Sequence, residues 1–515
     1  MPLSKTLIKN ALSNYTGFAV AAIIGLFISP IVIHHLGNAA FGLWALFQSF
    51  FGYFGLLDLG LGISVVKYMS EFKARGEQDN INIFGSTIFY TYILLGIAGM
   101  LVAFGLAPFI TKIFTIPAGY KHIAFYGMII GGLNVAIIFP MSLQLNSLAA
   151  HQRYDLTNGI SITRQIIYAI SVILLLKHGF GLLELFLLNF ILSIVTFLIS
   201  FLFVAIKFKL VHFRLRFYQF NMLKKAYHYS IFAFLNNLAA HGLLNIGSMI
   251  IGTVLSVELV TYYALANKIS GIMLQAVSSI VGISLPVFSA LWAVHDMEKI
   301  KFTYSEITKA VTLISLPISM VVILFSDPIM EVWVGNGYHL AALSLILLTI
   351  VMFIHNIMGF ITGIFLFGIG KPKPLSIANA LAAVTNVLLA VLLTRWIEKD
   401  YGAGYGVLGI PIALGLTMNA VDLFFLPWYV NRIIGLPHRE YIKIFIKPFL
   451  FIIPAAILAL LIRHYYTPHK LIIFVLESAV IGVFYWGLYY LFGLTKEEKV
   501  RYLGYVSPVR KSAKS

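Results

Sequence analysis

Fourteen long apolar stretches occupy most of this 515-residue chain, and they limit its fold more than any other feature. A helix that crosses ~30 Å of hydrocarbon needs about 20 apolar residues, and most of the stretches are at least that long. Hydrophobic residues make up 60% of the chain and charged residues only 11%, which is too little polar surface to enclose a soluble core. The sequence therefore predicts an all-α integral membrane protein, because a closed barrel would show short alternating segments instead.

The apolar runs predict about 14 transmembrane helices. Several runs are longer than a perpendicular crossing requires, which is typical of tilted helices. The predicted spans cover residues 11–34, 41–66, 83–107, 122–148, 160–177, 182–206, 229–255, 259–290, 306–330, 341–368, 375–396, 407–430, 446–462 and 471–492.

Lys and Arg residues alternate between the two sides of the predicted bundle. If the N-terminus is cytoplasmic, the inward-facing segments hold 28 of them and the outward-facing segments hold 7, while Lys268 lies inside a span. This excess predicts cytoplasmic N- and C-termini, because cytoplasmic loops are enriched in basic residues. The net charge of +17 then indicates contact with anionic membrane lipids, and not with nucleic acid.

A basic hydrophilic segment, Lys207 to Tyr229, divides the spans into groups. Its cations alternate with aromatic residues, as in an amphipathic helix at the inner interface, although a simple linker is equally compatible. A weak internal repeat matches residues 41–54 to residues 260–274 and predicts two six-helix bundles in parallel orientation, a transporter architecture. The predicted organisation is a first bundle (1–206), a basic linker (207–228), a second bundle (229–430), helices 13 and 14 (431–492) and a basic cytoplasmic tail (493–515).

Polar side chains at membrane depth are costly unless they face a cavity or one another. Asn237, His241 and Asn245 follow one another at intervals of four residues in the seventh span and share a helix face. Such stripes also occur where polar groups join neighbouring helices. Lys268, seven residues before Gln275, is the stronger signal, because an ammonium in mid-span requires water, an anionic ligand or a partner.

A water-filled cavity and an ion pair with Asp58 or Asp422 are the two explanations that the sequence leaves open for Lys268. The chain has no cysteine, which excludes disulfides and thiolate metal sites. No metalloprotease or serine hydrolase motif occurs, and the loops between the spans are too short for a catalytic domain. The sequence therefore predicts a protein that is not an enzyme and binds no metal.

Three runs of residues resemble a known family. Phe41-Gly42-Leu43-Trp44 and then Leu57-Asp58-Leu59-Gly60-Leu61-Gly62 resemble the second span of bacterial polysaccharide flippases. These proteins belong to the multidrug/oligosaccharidyl-lipid/polysaccharide exporter superfamily. The stretch from Tyr262 to Ile269 (YYALANKI) is similar to that family's eighth-span pattern.

The resemblance implies a transporter of the bacterial cytoplasmic (inner) membrane that opens alternately to each face. Its substrate would be an undecaprenyl-pyrophosphate-linked oligosaccharide, moved outward for surface polysaccharide assembly, with a polysaccharide polymerase as a possible partner. Lys268 and Arg164 would hold the diphosphate. The resemblance implies no cofactor other than a coupling ion, H⁺ or Na⁺, for which Asp58 and Asp422 are the candidate residues. The residues expected to contact sugar are Gln48, Asn237, His241, Asn245 and Gln275.

Two other functions fit the same membrane fold. A cation-coupled multidrug antiporter should have an anionic, aromatic cavity, whereas here the cations within the spans at least match the carboxylates. A peptidoglycan-precursor flippase would need more arginines in its lumen than the sequence offers. The polysaccharide flippase remains the leading hypothesis.

Overall fold

The computed structural model describes residues 3–282, 284–402, 404–466 and 470–499. Within these ranges, side chains are described except those of residues 3–15, 229, 232, 233, 235–237, 239–241, 279, 280 and 471. The described chain consists of helices and short turns and contains no strand. The predicted all-α fold is therefore confirmed for these residues.

Twenty α-helices follow one another in the described ranges, some of them continued by short 3₁₀- or π-helical turns. The first ten are α1 (Leu3–Phe54), α2 (Leu61–Ala74), α3 (Gln78–Leu106), α4 (Ile110–Ile113), α5 (Lys121–Ala150), α6 (Tyr154–Lys177), α7 (Leu182–Phe201), α8 (Phe220–Leu244), α9 (Ile246–Val254) and α10 (Val257–Val281). The others are α11 (Ser284–Ala293), α12 (Met297–Leu324), α13 (Ser326–Val334), α14 (His339–Ile354), α15 (Ile361–Gly368), α16 (Lys373–Tyr401), α17 (Gly409–Ala420), α18 (Leu426–Ile434), α19 (His438–Tyr465) and α20 (Leu471–Leu488).

Eleven helical segments of the described chain are long and apolar enough to cross a membrane. The first of them, Thr16–Asp58, has 43 residues, which corresponds to ~65 Å of helix or about twice the hydrocarbon thickness. Its backbone leaves helical geometry at Gly37, where φ is 80° and ψ is 175°. Glycine adopts a positive φ without steric cost, so α1 consists of two helices that meet at this residue.

The chain forms two compact units. The first unit comprises Met1–Lys268 and Asn379–Ala413. In this unit α3 packs closely on α5. At Gly96 the two backbones are so near that a Cβ would lie only 2.9 Å from the backbone oxygen of Ala136. Small residues allow helix backbones to approach in this way within lipid.

The second unit comprises Ile269–Ala378 and Leu414–Ser515. Its core contains a cluster of buried aromatic residues on α11, α12, α15 and α19: Phe288, Tyr304, Phe365 and Tyr441. The rings of Tyr304 and Tyr441 stack with their centroids 6.0 Å apart. Such contacts add to the packing that holds helices together where lipid removes most of the hydrophobic driving force.

The first half of the basic linker is not the amphipathic helix that its composition suggested. Residues 208–214 form no helix, with Lys209 at a positive φ and Arg214 extended; a short 3₁₀ turn follows, and α8 begins at Phe220. Side chains on α3 accept the linker's backbone N–H groups: Asn82 from His212 at 2.9 Å, and Ser86 from Arg214 at 3.1 Å. These bonds replace the i→i−4 bonds of a helix, so the expectation of a helix was wrong for this stretch.

Candidate functional site

Two adjoining cavities lie within the first unit. One, the arginine cavity, has a volume of about 540 Å³ and is lined by Arg164; the other, the lysine cavity, has about 490 Å³ and is lined by Lys268. They share five lining residues: Ile24, Trp44, Gln48, Gln165 and Tyr168. Among the described residues that line them, these two cations are the only charged groups. Both cavities would therefore attract an anionic ligand, and no carboxylate among the described lining residues would repel it.

Lys268 extends from α10 to the first helix of the chain. Its Nζ donates a hydrogen bond to Ser29 Oγ at 2.7 Å and lies 5.9 Å from the centroid of the Trp44 ring. A Cβ at Gly25 would lie 3.1 Å from Lys268 Cε, so this glycine leaves room for the lysine side chain. An ammonium has three N–H donors, and this bond engages one of them.

The ion pair considered between Lys268 and Asp58 is not formed in the described part of the first unit, where the lysine bonds to a neutral hydroxyl. Asp58 instead accepts a hydrogen bond from the Tyr92 hydroxyl, and its Oδ2 accepts another from the backbone N–H of Gly62 at 3.2 Å. Asp58 is the last residue of a 3₁₀ turn within the second predicted span. The helix is interrupted there because Leu59 and Gly60 have positive φ angles. Asp58 lines neither cavity.

Arg164 lies on α6 and contacts two polar residues of α7. Its Nη2 donates to Asn189 Oδ1 at 2.7 Å and to Ser193 Oγ at 3.4 Å. Its Nε is buried and has no hydrogen-bond partner in the described part of the chain. A buried donor without a partner is costly, and a ligand with acceptor oxygens would relieve that cost.

Arg164 also borders an apolar cleft of about 290 Å³ between α6 and α7. Gly159, Ile167, Val195 and Ile199 are among the residues that line it. The last three side chains are exposed, each by more than two fifths. The guanidinium therefore borders both the arginine cavity and an apolar surface cleft.

Amide and aromatic side chains make up much of the remaining cavity lining. Gln48 lines both cavities and Asn245 lines the lysine cavity, so the structure brings these two predicted residues together with the predicted cations. Gln275 lines neither cavity; it is exposed and belongs to the second unit. Asn237 and His241 lie outside the residues whose side chains are described. Polar lining residues that sequence reasoning did not assign to the site are Asn134, Gln165, Asn189, Ser193 and Asn267.

Asp422 belongs to the second unit and is almost fully buried, with 2% of its side chain exposed. Its Oδ2 lies 2.8 Å from Nδ1 of His355, a residue that sequence reasoning did not single out. No group of three or more His, Asp or Glu side chains suited to a metal ion occurs in the described part of the chain.

Comparison with known proteins agrees with the geometry. Residues 15–343 match the model of a family described as "Polysaccharide biosynthesis protein". The chain is 22% identical over 451 residues to a Bacillus subtilis protein named "Uncharacterized membrane protein EpsK", covering 85% of this chain and 86% of that protein. It is also 22% identical over 437 residues to a Shigella flexneri protein named "Putative O-antigen transporter", covering 83% of this chain and 98% of that protein.

Solved structures share the fold. An inward-facing multidrug resistance MATE family transporter of the MOP superfamily has a TM-score of 0.69 at 16% identity, covering 82% of this chain and 95% of its own. The lipid II flippase MurJ in an inward closed conformation has a TM-score of 0.68 at 16% identity, covering 94% of this chain and 99% of its own. At this identity the likeness shows a common architecture and leaves the ligand open.

Proposed function

We propose, from the premise that this chain belongs to the polysaccharide biosynthesis protein family, that it is a flippase for a lipid-linked oligosaccharide. The chain is a multi-pass protein of the bacterial inner membrane. Its proposed substrate is an undecaprenyl-pyrophosphate-linked glycan, moved from the inner to the outer leaflet by alternating access.

The charge of the two cavities is the observation that carries this proposal. Lys268 and Arg164 are partnered by neutral oxygens, so their positive charges are not cancelled by the described residues around them. A diphosphate needs cations in a partly desolvated place, where charge-assisted hydrogen bonds are strongest. Gln48, Asn245 and the other lining amides offer the donors and acceptors that sugar hydroxyls require.

The cleft between α6 and α7 supports a lipid-linked substrate over a free sugar phosphate. Arg164 borders both the arginine cavity and this cleft, and the cleft's exposed lining is mainly aliphatic. An isoprenoid chain in the cleft would keep its apolar surface in lipid while its phosphates reach the guanidinium. A ligand with a charged head and an apolar chain matches both sides of this residue.

The proposal includes 14 spans with both termini in the cytoplasm, arranged as two six-helix bundles and two appended helices. Dividing Thr16–Asp58 at Gly37 turns the eleven candidate segments into twelve. Helices α8 to α11 occupy the region of the seventh and eighth predicted spans and supply the other two. The excess of Lys and Arg on the inward-facing segments supports this orientation.

A cation-coupled drug antiporter of the same superfamily is the alternative. A site for a cationic drug needs carboxylates, and none lines either cavity among the described residues. A peptidoglycan-precursor flippase also carries a diphosphate, so the cations favour it as much as an oligosaccharide flippase. Polysaccharide output from cells separates these alternatives.

Surface-polysaccharide display tests the proposal in cells that lack their chromosomal copy of the gene. Lys268→Gln removes the charge of the lysine cavity and should reduce display at least tenfold, because a charge-assisted hydrogen bond contributes about 1.5–3 kcal/mol. The matched control is Lys121→Gln, an exposed lysine at the start of α5, which should leave display unchanged.

Membrane abundance of both variants is measured by immunoblotting, so that loss of folding is recognised. Normal display with Lys268→Gln would contradict the cationic-cavity model. Normal display in the deletion strain, together with increased sensitivity to a cationic dye such as ethidium, would favour the antiporter.

A further inference from the structure

A histidine–aspartate pair is buried in the second unit, and neither residue lines the cavities described above. His355 Nδ1 and Asp422 Oδ2 are 2.8 Å apart, and 22% of the histidine side chain and 2% of the aspartate side chain are exposed. Among the described ion pairs, this pair has the most buried carboxylate. The polysaccharide-binding role proposed for the first unit makes no use of it.

Both residues lie on π-helical turns, and these turns pack against one another. His355 begins the turn His355–Phe360, which joins α14 to α15, and Asp422 lies in the turn Val421–Phe425, which joins α17 to α18. A π-helical turn interrupts the regular i→i−4 hydrogen-bond ladder and is frequent at functional sites. Two such turns that meet at one buried pair indicate a place where the helices can change shape.

Gly359 leaves space for the carboxylate of Asp422. A Cβ at Gly359 would lie 2.1 Å from Asp422 Oδ1, so any other residue there would displace the carboxylate. The neighbouring Asn356 is buried, and its Oδ1 has no hydrogen-bond partner. The second unit thus holds a close-fitting carboxylate beside a polar acceptor that the described structure leaves unsatisfied.

Other titratable groups near the pair are phenols. Tyr441 on α19 lies close enough to Asp422 to interact with it electrostatically. Tyr304 on α12 stacks on Tyr441 and shares a hydrogen bond of 2.9 Å with Thr362. These phenols are neutral in the physiological range, so among the described groups here the imidazole beside the carboxylate is the one that can exchange a proton in that range.

We propose that His355 and Asp422 form a proton-binding site that couples the proposed lipid transport to the proton gradient. While the two groups are in contact in apolar surroundings, they hold one proton between them, because an isolated charge would be costly there. When the π-helical turns separate them and water enters, the imidazole becomes neutral and the carboxylate stays ionised at neutral pH. The step is His-H⁺···Asp⁻ → His + Asp⁻ + H⁺, and the released proton passes to the water.

Asp58, the other ion-coupling candidate, lacks this chemistry. Its described partners are the Tyr92 hydroxyl and the Gly62 backbone N–H, neither of which gains or loses a proton near neutral pH. The coupling ion assigned to Asp422 is accordingly H⁺. This assignment deepens the proposed function and rests on it for the cargo, but not for proton binding itself.

Proton binding can be tested without any substrate. Hydrogen–deuterium exchange of the full-length protein in nanodiscs is followed in peptides that contain 355–360 and 421–425, with rates corrected for intrinsic pH dependence. Between about pH 6 and about pH 8 we expect corrected exchange in both peptides to rise at least roughly threefold, because losing the proton opens the pair locally. Asp422→Asn and His355→Gln should both abolish that rise.

The controls use matched substitutions elsewhere in the second unit. Asp296→Asn changes an exposed carboxylate that caps α12 and should keep the pH response. Gly359→Ala should remove the response, whereas Gly363→Ala, whose Cβ would make an ordinary 3.4 Å contact with Leu375, should keep it. An unchanged exchange rate in the wild-type protein, or the same rise in the Asp422 and His355 variants, overturns the proposal even if one variant fails to fold.

Coupling is tested in proteoliposomes with fluorescent undecaprenyl-diphosphate-linked N-acetylglucosamine as the probe. A pH gradient should accelerate flipping by the wild-type protein several-fold, and Asp422→Asn should lose this acceleration while still equilibrating the probe. Acceleration that persists in Asp422→Asn overturns the coupling role. If the wild-type protein shows the pH-dependent exchange but does not flip the probe, the proposed function fails and the proton site stands.

Discussion

Replacing Arg164 by glutamine is the most direct biochemical test of the cationic cavity. Arg164 Nη2 donates to Asn189 Oδ1 at 2.7 Å, and its buried Nε has no hydrogen-bond partner among the described residues. A phosphate can accept from Nε and from the free Nη donors in the forked geometry that guanidinium groups favour. One charge-assisted hydrogen bond contributes about 1.5–3 kcal/mol, so its loss should weaken binding roughly 10- to 150-fold.

The assay compares two probes that share one isoprenoid chain, undecaprenyl diphosphate and the uncharged alcohol undecaprenol. Their dissociation constants are measured with purified full-length protein in nanodiscs. Arg164→Gln should weaken diphosphate binding by the factor above and change undecaprenol binding less than about twofold, because only the diphosphate carries charge. The diphosphate dissociation constant of Arg164→Lys should lie between those of the wild-type protein and Arg164→Gln, since lysine keeps the charge but lacks the forked donors of a guanidinium.

Arg153→Gln is the matched control, because it removes the same charge near the start of the same helix. Arg153 is 37% exposed in its side chain and pairs with Asp155 at 3.1 Å, and an exposed pair of this kind contributes little to stability. It should leave both dissociation constants unchanged. Equal weakening in the two variants would point to long-range charge, and unchanged affinity in Arg164→Gln would refute contact between guanidinium and phosphate.

Three further experiments examine the cleft, the topology and the ion pair of Glu498. Gly159→Leu fills open space in the cleft and should weaken both isoprenoid probes, whereas Gly105→Leu, equally unobstructed on α3, should not. Single cysteines that replace Lys399 or Lys443 can test the topology, because the chain has no cysteine of its own. On intact cells an impermeant maleimide should react only with the cysteine at position 399, which the proposed topology places outside. Burial raises the pKa of Glu498, but hydrogen bonds from the α12 lysine and from a threonine outweigh it, so the pKa lies below the ordinary 4.5. The ionised carboxylate stabilises the fold above about pH 4.5, and this stabilisation is lost as the pH falls through the lower pKa of the folded state. Acidification should therefore lower the melting temperature of Glu498→Gln less than that of the wild-type protein.

The fold was predictable to the extent that lipid contact dictates it. Runs of about 20 apolar residues can be satisfied only as helices in a membrane, because every backbone group must bond within its own segment. Helix ends were less predictable: α12 begins at Met297, capped by Asp296, whereas the ninth predicted span begins at residue 306. Hydropathy marks where lipid begins, and a helix continues beyond it when a capping side chain satisfies its first N–H groups.

The site was predictable where one residue carried the signal and unpredictable where two distant residues did. Lys268 stood out as a charge in mid-span, but its partner Ser29 is 239 positions away and no local pattern connects them. Gln275 shares the helix face of Lys268, yet seven residues correspond to ~10 Å along a helix, and Gln275 lines neither cavity. His355 carried the same signal as Lys268, a titratable side chain in an apolar run, and could have been chosen on that ground.

The two cations are the basis on which we propose the ligand that the shared architecture leaves open. Multidrug transporters and a lipid II flippase have this fold, so the ligand must be inferred from the side chains that line the cavities. A cation paired with a carboxylate would present a dipole to a ligand, whereas Lys268 bonded to a hydroxyl and Arg164 bonded to an amide oxygen each keep a whole charge. Two uncancelled charges in adjoining cavities disfavour a cationic drug and stabilise a ligand with more than one negative charge, and a diphosphate is such a ligand.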